Sequence, residues 1–152
     1  MPLEDLSNIH ITEAQRIALN DAIDIMEPIV ISFTQNLTPE ERQRYGSINE
    51  QNKLFANKVY DYHVNNPELQ SSDVDWVEFD KDYNDRRILE SLILQLDSLR
   101  KMLFDAKIRH DSDNYKAALT DYDYTQYKSN APGGGAWSVK NDELKQFFGP
   151  AS

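Results

Sequence analysis

The chain has no cysteine and only three histidines. The first absence excludes disulfides, thiolate nucleophiles and cysteine metal sites, and it suits a reducing cytoplasm. The second leaves His10, His63 and His110 as the whole supply of imidazole. None of them stands in a Glu-x-x-His motif, which a dinuclear carboxylate bundle needs in pairs. No Walker motif, nucleophile elbow, HExxH motif or calcium loop occurs, and "PGGG" is too short to be a phosphate loop. No catalytic, cofactor-binding or metal-ligating residue is assigned on this basis, and the sequence leans away from an enzyme.

Long apolar runs are also missing. Nothing approaches the roughly 20 residues of a membrane span. The start, "MPLEDLSNIHIT", does not lead a basic segment into an apolar one. The expectation is a soluble, cytoplasmic protein without membrane association. Basic residues are scarce as well, with 16 Lys and Arg against 26 Asp and Glu and a formal charge of −10. Such a chain repels nucleic-acid backbones and favours a basic protein partner.

What is present points to helices. Aromatic residues make up 11% of the 152 residues, enough to argue against disorder and for one substantial core. Three helix starts are legible: "TEAQ" with Thr12 and Gln15, "TPEE" with Thr38, Pro39 and Glu41, and "DWVE" with Asp75 and Glu78. The first predicts a helix from Glu13 to Gln35, with Ala18, Ala22, Ile25, Ile29 and Phe33 in its stripe and a bend at Pro28. The second predicts a helix from Pro39 to Asn66, whose seam of Tyr45, Ile48, Asn52, Phe55, Val59 and Tyr62 carries an asparagine at its middle.

The third predicts a helix of about 50 Å from Trp76 to His110. Its leucines, Leu89, Leu92, Leu96, Leu99 and Leu103, continue to Ala106 in steps of three and four. A break at "RHDSDN" is expected to reverse the chain, placing His110 at a helix end and opening a fourth helix from Asn114 to Tyr127. The predicted fold is all-α: an elongated antiparallel four-helix bundle over residues 1–130. Residues 131–152 form a glycine-rich connector and a short C-terminal helix at "NDELKQFF", packed on the bundle as a strap.

Candidate interaction or pocket residues are Asn52 in the second seam, His110, Tyr122 and Tyr124 in the last helix, and Trp137, Phe147 and Phe148 in the strap. Asp21, Asp24 and Glu27 share a face of the first helix but define no cation geometry. The leading functional expectation is a helical protein–protein interaction or structural domain that binds a protein partner or forms a homo-oligomer. Two alternatives stand beside it: a small-molecule or divalent-metal-dependent enzyme using a polar pocket in the bundle, and an acidic regulator of a basic protein.

Overall fold

The computed structural model describes residues 8–47 and 50–149. All regular structure among them is helical: α1 Glu13–Phe33, α2 Pro39–Tyr45, α3 Glu50–Asn65, α4 Trp76–Ser129 and α5 Gly135–Lys145, with 3-10 turns at Pro67–Leu69 and Gln146–Phe148. The chain divides into two units, Ile11–Glu90 and the remainder.

The three helix starts form as their sequences dictate. At α1 the Thr12 hydroxyl accepts from Gln15 N at 3.1 Å while the Gln15 amide oxygen accepts from Thr12 N at 2.9 Å. At α2, Thr38 and Glu41 repeat the exchange with the same distances. Asp75 accepts from Glu78 N at 3.1 Å at the head of α4. Each box satisfies amides that a helix start otherwise leaves open. The end of α1 has no glycine; instead the hydroxyls of Ser32 and Thr34 donate to the carbonyls of Ile29 and Val30. Pro28 lies within α1.

The helices of the middle of the chain are divided differently from the sequence expectation. The predicted helix over 39–66 is divided, because α2 ends at Gly46 and α3 begins at Glu50. Glycine is a poor interior helix residue, and Gly46 closes the turn by donating from its amide to Arg42 O at 2.9 Å. A Cβ there would stand 2.5 Å from that same carbonyl oxygen. Ile48, placed in the predicted seam, lies outside the described residues.

The expected reversal at "RHDSDN" does not occur, since α4 runs unbroken from Trp76 to Ser129. Asp, Ser and Asn cost only a few tenths of a kcal/mol each in a helix interior, and no Gly or Pro stands there to stop propagation. Lys107 Nζ reaches Asp111 Oδ2 at 2.6 Å across the supposed break. His110 is therefore a mid-helix residue, half-buried, with its ring stacked on His10 at 5.5 Å.

Large apolar side chains stay exposed throughout. No hydrophobic residue is fully buried among the described residues, and Thr125 is the one buried side chain. In α4 the leucine seam runs from 40% exposed at Leu92 to 61% at Leu103. In α1, Ile25, Ile29 and Phe33 are all more than half exposed. The all-helical class is as expected, and no aliphatic core is closed among the described residues of either unit.

Candidate functional site

In the first unit, α3 and the start of α4 form an antiparallel hairpin joined by the Pro67–Leu69 turn. Four side chains of α3 at steps of three or four meet four of α4. Lys53 pairs with Glu90 at 3.6 Å, and Asn57 Oδ1 accepts from Arg86 Nη2 at 2.5 Å. Tyr60 stacks on Tyr83 with ring centroids 3.8 Å apart and planes within 8°. His63 stacks on Trp76 at 4.5 Å and 14°. From Lys53–Glu90 through Asn57–Arg86 and Tyr60–Tyr83 to the His63–Asp80 ion pair, each step along α3 is matched by an equal and opposite step along α4, which fixes the register without an aliphatic core; Trp76 meets His63 from one turn earlier.

Trp76 anchors the turn as well as the hairpin. Its indole N–H donates to Ser71 O at 2.7 Å, while its ring meets Phe79 edge-on at 5.1 Å. The ring thus presents an apolar face to His63 and a polar edge to the backbone. Arg86 lies over the Tyr83 ring at 5.0 Å, and its Nε is buried with no hydrogen-bond partner.

His63 is held through both ring nitrogens. Its side chain is 14% exposed, with Nε2 at 2.9 Å from Asp80 Oδ1 and Nδ1 at 2.6 Å from Gln70 Oε1. The bond to the Asp80 carboxylate, and after it the bond to Gln70, holds the imidazolium above the usual histidine range. Both ring nitrogens are occupied by acceptors. His63 is therefore engaged as a clasp between α3, the turn and α4, with neither nitrogen open to a substrate.

Beside the clasp lies an open cleft of about 430 Å³. Phe55, Val59, Tyr62, Leu69, Val74 and Trp76 supply its apolar wall, and Lys58 contributes a cation held 5.5 Å from the Tyr62 ring. The volume is within the range of small-molecule sites. Phe55, Val59 and Tyr62 belong to the predicted second seam, but they line this cleft instead of a helix–helix core. Asn52, the predicted centre of that seam, is exposed on α3 outside the cleft lining. The polar residue that does set register is Asn57.

In the second unit, α5 lies against the last turns of α4. Trp137 meets Tyr124 edge-on at 5.6 Å, Phe148 stacks on Tyr122 at 4.9 Å, and Lys140 pairs with Asp121 at 2.7 Å. Thr125, on the same stretch of α4, is fully buried and donates its hydroxyl to Asp121 O at 2.8 Å. Asn141 Oδ1 is buried here without a partner. The helix begins at Gly135, earlier than the "NDELKQFF" expectation, so Trp137 is a helix residue. Gly133 makes the reversal possible with a φ of +80°, a conformation L side chains rarely adopt. Of the strap aromatics, Trp137 and Phe148 have ring partners on α4, whereas Phe147 is 85% exposed.

Sequence reasoning named Tyr122, Tyr124, Trp137 and Phe148, which the structure brings together. It misses the clasp, because the carboxylate that His63 meets, Asp80, lies 17 residues away on a different helix. The signal was available in the aromatic spacing Trp76, Phe79 and Tyr83, which marks one face of α4. Among the described residues no three His, Asp or Glu side chains are grouped to hold a metal, and no helix is long and apolar enough to cross a membrane. Comparison with family profiles, with curated proteins and with solved structures finds no match in any of the three, and the functional argument rests on this chain's own geometry.

Proposed function

We propose that the protein is a helical protein–protein interaction or structural domain of the cytoplasm whose leucine seam is covered by another protein surface. The observation that carries this reading is the seam itself. Leu89, Leu92, Leu96, Leu99 and Leu103 keep helical three-four spacing yet remain 40% to 61% exposed. Contiguous apolar surface of this kind is characteristic of interaction sites, and three-four spacing selects helices as what packs on it. The bundle suggested by the sequence is then completed between chains. A net charge of −10 adds a preference for basic partners and disfavours nucleic acid.

Affinity capture from the native cell with the full chain, alongside a Leu96→Asp, Leu99→Asp variant, tests the reading. A stoichiometric protein complex, including one of several copies of this chain, that the variant fails to form supports it. A full chain that stays alone and unfolds cooperatively as a monomer defeats it.

A second reading rests on the cleft beside His63, whose apolar wall and single lysine suit a small molecule with an apolar body and an anionic group. Trp76 lines this cleft, so quenching or shift of its fluorescence by an aryl carboxylate, lost in Lys58→Ala and Phe55→Ala, is the corresponding test. The metal-dependent enzyme alternative has no comparable support, since the clasp occupies both nitrogens of the imidazole nearest the cleft.

A further inference from the structure

We propose that the His63 clasp is a proton-operated latch on one wall of the cleft. With both ring nitrogens protonated, His63 holds the connection between α3 and α4 through Gln70, and loss of the Nδ1 proton lets that connection move off α3. The inference goes beyond the interaction reading and does not depend on what occupies the cleft.

The wall is lightly tied. Leu69, Gln70, Ser71 and Val74, all from the stretch between α3 and α4, line the cleft together with Phe55, Lys58, Val59 and Tyr62 of α3. Within that stretch, Gln70 N reaches Pro67 O at a long 3.4 Å, and Asp73 N donates to Ser71 Oγ at 3.1 Å. Two adjacent residues fasten it to the helices. Gln70 Oε1 accepts from His63 Nδ1 at 2.6 Å, and Ser71 O accepts from the Trp76 indole N–H at 2.7 Å. The two rings that carry these bonds are stacked at 4.5 Å and 14°. The indole N–H does not titrate, whereas the imidazole does.

Only the imidazolium donates from both nitrogens. The Asp80 carboxylate, with Oδ1 at 2.9 Å from Nε2, is the stronger acceptor, so Nε2 keeps its proton and Nδ1 is the nitrogen that gives its proton up. Nδ1 then turns a lone pair toward Gln70 Oε1, and two acceptors at 2.6 Å repel. Rotation of the Gln70 amide would restore a bond, but a neutral one about half as strong. Gln70 is exposed, so water and its own rotamer freedom compete with that weaker bond.

The surroundings of the ring set the direction of the switch. From α4, Asp80 is the charged group that faces it, beside the uncharged rings of Trp76 and Phe79. The connection presents the uncharged Gln70, and α3 presents Tyr60 at 6.5 Å, with Lys58 farther along the cleft lining. Asp80 and Gln70 both hold the proton on, so the latch is closed below the ordinary histidine value of 6.5 and opens as pH rises through the raised His63 value. An occupant that needs this wall in place is bound more weakly above that point, and by reciprocity it strengthens the hold of His63 on its proton.

Nuclear magnetic resonance of the full chain across a pH series tests the latch by reading the His63 ring protons and the backbone order parameters of residues 69–71 together. In the parent chain, order at 69–71 should fall with the same midpoint as the ring titration, while helix content by circular dichroism stays constant. In Gln70→Ala, the ring should still titrate but at lower pH, and order at 69–71 should be low at every pH. In Gln70→Glu, a carboxylate faces Nδ1, and the common midpoint should move to higher pH. Constant order across the parent's ring titration overturns the proposal, because the amide then simply rotates in place. A fall in order that persists in Gln70→Ala, or a midpoint unmoved in Gln70→Glu, also overturns it. So does loss of helix content at the ring midpoint, since the proton would then hold the whole hairpin and not its wall.

Discussion

The ends of α4 and its middle are built from the same helix but are treated differently by the rest of the chain. At Trp76–Glu90 the helix receives α3, through two ring stacks, an amide–guanidinium bond and the His63 clasp. At Asp121–Ser129 it receives α5, through Tyr124 and Trp137, Tyr122 and Phe148, and a fully buried Thr125. Between them lie the leucines, an apolar stripe at regular three-four spacing, and these stay exposed. The chain spends its aromatic and polar residues on contacts with its own neighbours in sequence and leaves the generic aliphatic stripe unfilled. Aromatic stacks and hydrogen bonds fix one register for a short hairpin, whereas a leucine stripe packs against any helix of matching spacing.

The sharpest way to break this contrast is Leu96→Ala. If the seam is covered in the assembled protein, the substitution should cost about 2 to 5 kcal/mol, the range for a buried leucine. Chemical denaturation at several protein concentrations measures it. A cost near zero at every concentration would return the middle of α4 to the status of plain surface.

Smaller effects are expected at the C-terminal end. Trp137→Ala removes the edge-on partner of Tyr124 and should lower stability by about 1 to 2 kcal/mol, since the indole is only half-buried. Amide exchange of residues 121–129 should accelerate with it, and unchanged exchange there would show that α5 does not protect α4.

The adjacent glycines sharpen the same region. A Cβ at Gly134 would stand 2.9 Å from the carbonyl oxygens of both Lys128 and Ser129, and backbone there cannot yield cheaply. Gly134→Ala should therefore destabilise by about 1 kcal/mol. Gly135 meets nothing within 4 Å and opens α5, so Gly135→Ala should be neutral or stabilise by up to about 0.5 kcal/mol. Paired thermal melts of the two variants decide whether the connector is a tight reversal or a slack tether.

The smallest effect belongs to the clasp and is best read by pH. Asp80 and Gln70 raise the pKa of His63 above its ordinary value of 6.5. The clasp's contribution is fully present below about pH 6.5, the unfolded value, and fades as pH rises through the higher folded value. Asp80→Asn should move the His63 titration, followed by its ring proton resonances, back toward the ordinary value and flatten this pH dependence. A titration unaltered by the substitution would remove Asp80 from the clasp.

The helical class and all three capped starts were legible because capping boxes are local: Thr12, Thr38 and Asp75 need only residues within one turn. The apparent break at Asp111 to Asn114 misled because turn-favouring residues weaken a helix without stopping it, and the neighbouring turns carry it through. The seam of Phe55, Val59 and Tyr62 was read correctly as apolar and placed wrongly. Periodicity reports which face is apolar but not which of two adjacent faces a hairpin uses, and here Asn57, Tyr60 and His63 took that place. The C-terminal aromatics were found as a group, yet Trp137 and Phe147 differ greatly in cover for a reason no spacing reveals, namely where Gly133 turns the chain.

The short sequence separation of the paired rings has a kinetic corollary. Tyr60 finds Tyr83, and Tyr124 finds Trp137, across a single turn of chain, so little loop-closure entropy opposes either hairpin and both should form on the microsecond-to-millisecond scale of local helical contacts. The seam has no such nearby partner. If another protein surface covers it, closure is a collision between molecules, and its rate should rise with protein concentration while the hairpin phases stay fixed. Refolding should accordingly separate into a fast, dilution-independent recovery of helix signal and a slower, dilution-sensitive one.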